Sequence, residues 1–146
     1  MEVEISYGSI IYNRKDDAIQ YLLVQHKSAG HWGFPKGHSL PNENPENTAI
    51  REVLEETGFQ IILNPKYKDE IQYKLPNGKT KKVIYWLSSI AKLEKQQYDF
   101  AEISQVKWFN FQEAFNKLTH EDSKKMLEHA NQYIITSETE KITSRG

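Results

Sequence analysis

The sequence predicts an α/β protein, a central mixed sheet with helices packed on it. Three observations point there. Runs rich in β-branched and aromatic residues recur at 3–13, 20–25, 59–63, 67–75 and 81–90. A sharply bounded helix interrupts them between Asn44 and Gly58. Two further helical segments, 111–118 and 123–135, follow the last short strand at 106–109. Strands and helices in this order bury their apolar faces most naturally as layers.

The elements follow in turn. Residues 3–13 alternate, Asp16-Asp17 marks a turn, and QYLLVQ (20–25) returns as a hairpin partner. Residues 26–44 carry Gly30, Gly33, Pro35, Gly37 and Pro41, too irregular for a helix, and read as loop. Asn44 then suits an N-cap, Pro45 the first helical position, and Glu46 the positive end of the dipole. Gly58 suits the left-handed residue that ends the helix. Residues 59–63 read as a buried strand, while 67–75 and 81–90 flank the hairpin signal PNGK (76–79). The expected order is β-β-loop-α-β-β-β-β-α-α, with a frayed tail at 137–146. No repeat, low-complexity tract or linker divides the chain, so residues 1–146 are expected to form one domain.

Composition narrows the function. The 146 residues are 38% hydrophobic and 27% charged, an ordinary globular balance. A net charge of -1 argues against duplex nucleic-acid binding, so a polyanionic substrate must meet a local basic cluster. With no cysteine there is no disulfide, thiolate metal site or cysteine nucleophile, in keeping with a cytoplasmic protein. No stretch approaches the roughly 18 apolar residues of a membrane span. No feature specifies an oligomeric state.

The segment from Gly37 to Phe59 carries the chemistry. Glu52, Glu55 and Glu56 fall at i, i+3 and i+4, so their carboxylates share one helical face. Ile50, Val53 and Leu54 repeat that spacing on the other side, toward the sheet. Like charges so placed repel by a few tenths of a kcal/mol per pair, roughly, and a divalent cation removes the repulsion. Hard oxygen ligands suit Mg²⁺ or Mn²⁺. Arg51 can reach Glu55 one turn on. Alone, E-x-x-E-E would read as a solvated face. The spacing G-x5-E-x7-R-E-U-x-E-E-x-G-U, with U aliphatic or aromatic, is however matched at every fixed position from Gly37 through Glu43 and Arg51 to Phe59.

That pattern resembles the signature box of the Nudix hydrolases, and weaker similarity extends over most of the chain. The resemblance implies a Nudix-type α/β/α sandwich and metal-dependent hydrolysis of a nucleoside diphosphate linked to another group. It implies Glu52, Glu55 and Glu56 as metal ligands, with the Gly37 carbonyl, and Glu43 and Arg51 as residues orienting them. Family members often place one more glutamate on a loop opposite the helix, as metal ligand or general base. Glu102, six residues before Trp108, matches it; Glu113 and Glu121 fall in the helical C-terminal part.

Outside the box, HWGFPKGH (31–38) and KVIYWL (82–87) resemble segments of the animal-type asymmetrical diadenosine tetraphosphate hydrolases. That resemblance implies a dinucleoside polyphosphate substrate, with diadenosine tetraphosphate cut to ATP and AMP by water attack on phosphorus. His31, Lys36 and Lys81 would neutralise its phosphates and Tyr73 would stack on a base. Tyr85 joins the substrate-binding set, although Tyr85 and Trp86 alternate on a strand, so that one of them faces the core. The second base-stacking aromatic of those enzymes has no clearly aligned Tyr or Phe here; His120 is the nearest candidate. Two other readings share the same helix: removal of pyrophosphate from RNA 5' ends, and a non-catalytic nucleotide-binding domain.

Overall fold

The computed structural model describes residues 2–94 and 101–145, with side chains through residue 139. Strand β1 (Val3–Lys15) turns at Asp16 and Asp17 into β2 (Ala18–His26). Both turn residues have positive φ, 51° and 67°, a region that aspartate visits more readily than most side chains. Alternation along β1 sends neighbouring side chains to opposite layers. Ile10 packs with Tyr21, Leu23 and Tyr85 under Leu127 and Ala130, whereas Ile11 packs with Leu22, Ile61 and Val53. Each such isoleucine, wholly removed from water, contributes about 1.5–3 kcal/mol.

The segment expected to be loop holds two short strands, β3 (Trp32–Gly33) and β4 (Lys36–Gly37). Two residues are too few to show a period, which is why the sequence does not announce them. β4 pairs antiparallel with β1, Lys36 opposite Gly8 and Gly37 opposite Tyr7. The approach depends on Gly8: a β-carbon there would sit on the Pro35 carbonyl oxygen, which already accepts the Ser9 N–H at 3.2 Å.

Helix α1 (Pro45–Thr57) begins and ends where the sequence predicts. The Asn44 side chain accepts the Asn47 N–H at 2.8 Å, and Gly58 closes the helix at φ 83°. Strand β5 (Phe59–Lys74) is one strand where two were expected. It continues past Pro65 through a register irregularity between Asn64 and Lys68, pairing with β6 (Thr80–Leu93) on both sides of it. β7 (Ile103–Asn110) lies along β2 and is longer than the expected 106–109.

Helix α2 (Phe111–Lys117) starts with a reciprocal Asn110–Glu113 capping box. Helix α3 (Glu121–Arg145) runs well beyond residue 135, so the backbone of 137–145 is helical rather than a frayed tail. A long-range contact accompanies the extension. The Arg14 guanidinium on β1 pairs with Glu138, its Nε 2.9 Å from the carboxylate.

The sheet order is β3-β2-β1-β6-β5, with β4 also on β1 and β7 also on β2. β1 serves two partners: its first part runs parallel to β6, from Val3 opposite Thr80 to Ile11 opposite Ser88, and its last part antiparallel to β2. With α1 on one face and α2 and α3 on the other, this is an α/β/α sandwich around a mixed sheet. No helix among the described residues is long and apolar enough to cross a membrane.

Gly8→Ala must push β4 off β1. Thermal denaturation should show it destabilised by about 2–4 kcal/mol, the scale of overpacking and backbone strain combined. An unchanged melting temperature would mean that β4 does not need this close approach.

Candidate active site: a buried carboxylate patch beside an aromatic cleft

Helix α1 presents its three glutamates to three different environments. Glu55 is exposed, Glu52 half-buried and Glu56 buried at 4% exposure, so the shared face straddles the edge of the fold. Val53 is fully buried against the sheet, and Ile50 packs at the margin of the same cluster. Glu56 Oε2 accepts the backbone N–H of Lys36 at 2.9 Å. Burial is the main reason its pKa rises to about 8, with the negative charges of Glu52 and Glu102 adding to it. Burial raises Glu52 as well, against the opposing pull of Arg51.

Arg51 gathers the acidic residues. Its Nε and Nη2 meet the two oxygens of Glu43 at 2.9 and 3.0 Å, and Nη2 also donates to the His38 carbonyl at 2.8 Å. Its Nη1 is shared by Glu52 at 2.9 Å and Glu55 at 3.1 Å. The Arg51 hydrogen bonds lower the Glu43 pKa to about 2, helped by the Leu40 N–H and the Thr48 hydroxyl. Gly37 makes room for this arrangement, because a β-carbon there would collide with the Glu52 carboxylate.

Glu102 lies on the loop before β7. Its carbonyl accepts the Lys27 N–H at 2.8 Å, and its side chain is exposed. The geometry thus brings Glu43, Arg51, Glu52, Glu55, Glu56 and Gly37 into direct contact or hydrogen bonding, directly or through Lys36 and Arg51. Glu102 reaches Glu52 and Glu56 only through its field.

The donor set suits a hard divalent cation. Among the described residues no three acidic or imidazole groups are gathered tightly enough to hold an ion in this conformation, since Glu52 and Glu55 turn to Arg51. The chemistry nevertheless fits. A carboxylate buried with one neutral N–H partner, beside two more carboxylates, is a group that a cation would stabilise in its charged form.

Beside Lys36 a cleft of about 410 Å³ opens. Five of the six expected substrate residues line it: His31, Lys36, Tyr73, Tyr85 and His120. Tyr85 is 3% exposed, floors the cleft and meets Phe34 edge-on at 5.8 Å. Trp86, on the opposite face of β6, is buried against Tyr7. The His31 and His120 rings stand T-shaped at 5.0 Å. They are held together because Trp32 N–H donates to the Thr119 hydroxyl at 2.9 Å and Thr119 N–H to the Trp32 carbonyl at 3.2 Å.

Lys81 is the residue that does not line the cleft. It is 5% exposed, with Nζ 2.6 Å from Ser6 Oγ and 2.9 Å from His38 Nε2. Burial lowers its pKa, and the neighbouring Lys36 charge lowers it further. It sits directly opposite Tyr73 in the β5–β6 register.

Sequence reasoning missed His26, Phe34, Ile71, Asp122 and Ser123, which also line the cleft. Ile71 lies two residues before Tyr73 on β5, a spacing from which strand alternation could have found it. For Asp122 and Ser123 no local signal existed, because only the packing of α3 brings them there.

A model of the NUDIX domain matches residues 4–130, and the chain belongs to the Nudix hydrolase family, whose members generally depend on a divalent metal. It is 31% identical over 140 residues to the bis(5'-nucleosyl)-tetraphosphatase (asymmetrical) of Rattus norvegicus, covering 89% of this chain and 95% of that one. The m7GpppN-mRNA hydrolase of Caenorhabditis elegans is 29% identical over 71% of this chain but only 13% of its own length. Among solved structures, a binary complex of the C. elegans Ap4A hydrolase superposes with a TM-score of 0.82 at 26% identity, covering 91% and 98% of the two chains.

The raised Glu56 pKa has a consequence for stability. In the unfolded chain the group ionises near 4.5, but in the folded chain only near 8. Metal-free protein therefore loses stability as pH rises through that interval and loses no more above it. Thermal unfolding of metal-stripped protein from pH 5 to 9 should show this decline, and Glu56→Gln should flatten it. A decline that persists in the variant would assign it to another group.

Proposed function

We propose that the protein hydrolyses dinucleoside tetraphosphates asymmetrically, diadenosine tetraphosphate among them, with water attacking a phosphorus to give ATP and AMP. The observation that supports this best is the place of Lys36. Its backbone N–H holds Glu56, while its side chain lines the aromatic cleft, so one residue joins the acidic patch to a pocket suited to a base. The likeness to tetraphosphatases over nearly the whole chain favours this substrate class over the RNA reading.

Glu52, Glu55 and Glu56, with the Gly37 carbonyl, are the residues that would hold Mg²⁺, or Mn²⁺ in its place. Held there, the ion would supply Lewis acidity, making water easier to deprotonate and offsetting charge on phosphate oxygens. Arg51 holds Glu52 and Glu55 in place and is itself fixed by Glu43. Glu56 or Glu102 accepts the proton of the attacking water. Lys36 and His31 offset negative charge on the phosphate chain from the cleft side, with Lys81 contributing from below, and Tyr73 offers its ring to a base.

Glu55→Gln and Glu56→Gln should each lower kcat by orders of magnitude with the fold intact, since a neutral amide is a poor ligand for a hard cation. Glu102→Gln should slow turnover about ten- to a few-hundred-fold, the usual span for a general acid or base. Near-native activity of the first two variants at limiting Mg²⁺ would remove the acidic patch from the mechanism.

Hydrolysis of diadenosine tetraphosphate in ¹⁸O-labelled water should label only one of two unequal products. ADP as sole product would overturn the asymmetrical cut. Triphosphorylated RNA as a far better substrate would replace this reading with 5'-end pyrophosphate removal, and no turnover of any nucleotide would leave a binding domain.

A further inference from the structure

The cleft contains two polar side chains that the reading above does not use. Asp122 and Ser123 open helix α3 and line the cleft, on the same wall as His120. Ser123 is 5% exposed, yet among the described residues its hydroxyl makes no hydrogen bond. No fully buried polar atom of the described residues lacks a partner, so that oxygen keeps some contact with solvent in a residue that lines the cleft. Asp122 is exposed, and its carboxylate makes no ion pair or hydrogen bond among the described residues. The other lining side chains include Phe34, Ile71, Tyr73 and Tyr85, largely aromatic and apolar. The Ser123 hydroxyl, nearly removed from water and without a protein partner, is available to a ligand, and the exposed Asp122 carboxylate beside it need only exchange water for one.

We propose that Asp122 and Ser123 read the edge of the base bound in this cleft and select guanine. This rests on the assignment of a nucleotide substrate. The argument is one of donors and acceptors. An ionised carboxylate only accepts, through two oxygens side by side. Guanine offers two adjacent donors, N1–H and the N2 amino group, which match them as a pair. Adenine sets a single amino donor beside the N1 lone pair, and that lone pair faces the carboxylate unfavourably. Uracil places carbonyls on both sides of its one N–H. The Ser123 hydroxyl supplies the donor that guanine O6 requires. A site built to make such bonds disfavours a ligand that leaves them unmade.

A bland role is available for Asp122, since an acidic side chain in the first turn of a helix complements the dipole. That role changes stability but not the choice of base, which gives the test its discrimination. The kcat/KM values for diguanosine and diadenosine tetraphosphate are measured on wild type, Asp122→Asn and Asp122→Ala. Binding of GMP and AMP is measured by calorimetry on the same proteins, independently of turnover.

Wild type should prefer guanine about tenfold or more in both assays, the scale of one charge-assisted hydrogen bond. Both variants should reduce the guanine-to-adenine ratio by about the same factor, and Ser123→Ala should reduce it less. A wild-type preference for adenine, or variants that leave the ratio unchanged, would overturn the proposal. If neither dinucleotide were cleaved while GMP bound more tightly than AMP through Asp122, the tetraphosphatase reading would fall and the base selection would stand.

Discussion

The arrangement depends on one hydrogen bond, from the Lys36 amide to the buried carboxylate of Glu56. Burying an ionisable group against a single peptide N–H is unfavourable for its charged form, and the rise of its pKa to about 8 reflects that. The contact can form only if β4 lies close to both α1 and β1. Closeness to β1 requires Gly8, because a β-carbon there would sit on the Pro35 carbonyl, whereas a β-carbon at Gly37 would displace the Glu52 carboxylate. One glycine thus seats β4 on the sheet and the other leaves room for the acidic face of the helix.

Stability and binding capacity are divided between the two sides of the sandwich. On the α1 side, Arg51 ties together side chains that would otherwise repel. On the other side, the turn between α2 and α3 is pinned to β3 by two hydrogen bonds around Trp32 and Thr119. The cleft is thus walled by residues from a strand, a turn and a helix start whose backbones are already anchored. Such walls are set before any ligand arrives, so little ordering remains to oppose binding.

How much could be read in advance depended on the range of the interactions. The helix from Asn44 to Gly58 was legible because capping is local: the Asn44 bond to Asn47 and the left-handed Gly58 lie within the segment they bound. The acidic residues were legible by type and spacing, but not their burial. Periodicity puts Glu52, Glu55 and Glu56 together, whereas only the approach of Lys36 separates a buried Glu56 from an exposed Glu55. Pro65 and its polar neighbours hid the continuity of β5, which comes from pairing with a distant partner across the irregularity. The length of α3 was hidden as well, and the contact its extension makes with Arg14 lies far away in the chain. Asp122 and Ser123 belong to the same group of long-range facts.

The double membership of β1 bears on how the molecule comes to exist. Strand β1 runs parallel to one whose paired residues lie 77 positions later, as the Ser9–Trp86 contact shows. Its tail can form a hairpin with β2 at once, through a two-residue turn, while its head has only the two-residue β4 as a partner until β6 has emerged. Pairings of such separation carry the loop-closure entropy that slows folding. The cleft, whose walls include Tyr85 on β6 and His120 beyond it, can accordingly close only after that distant pairing is made.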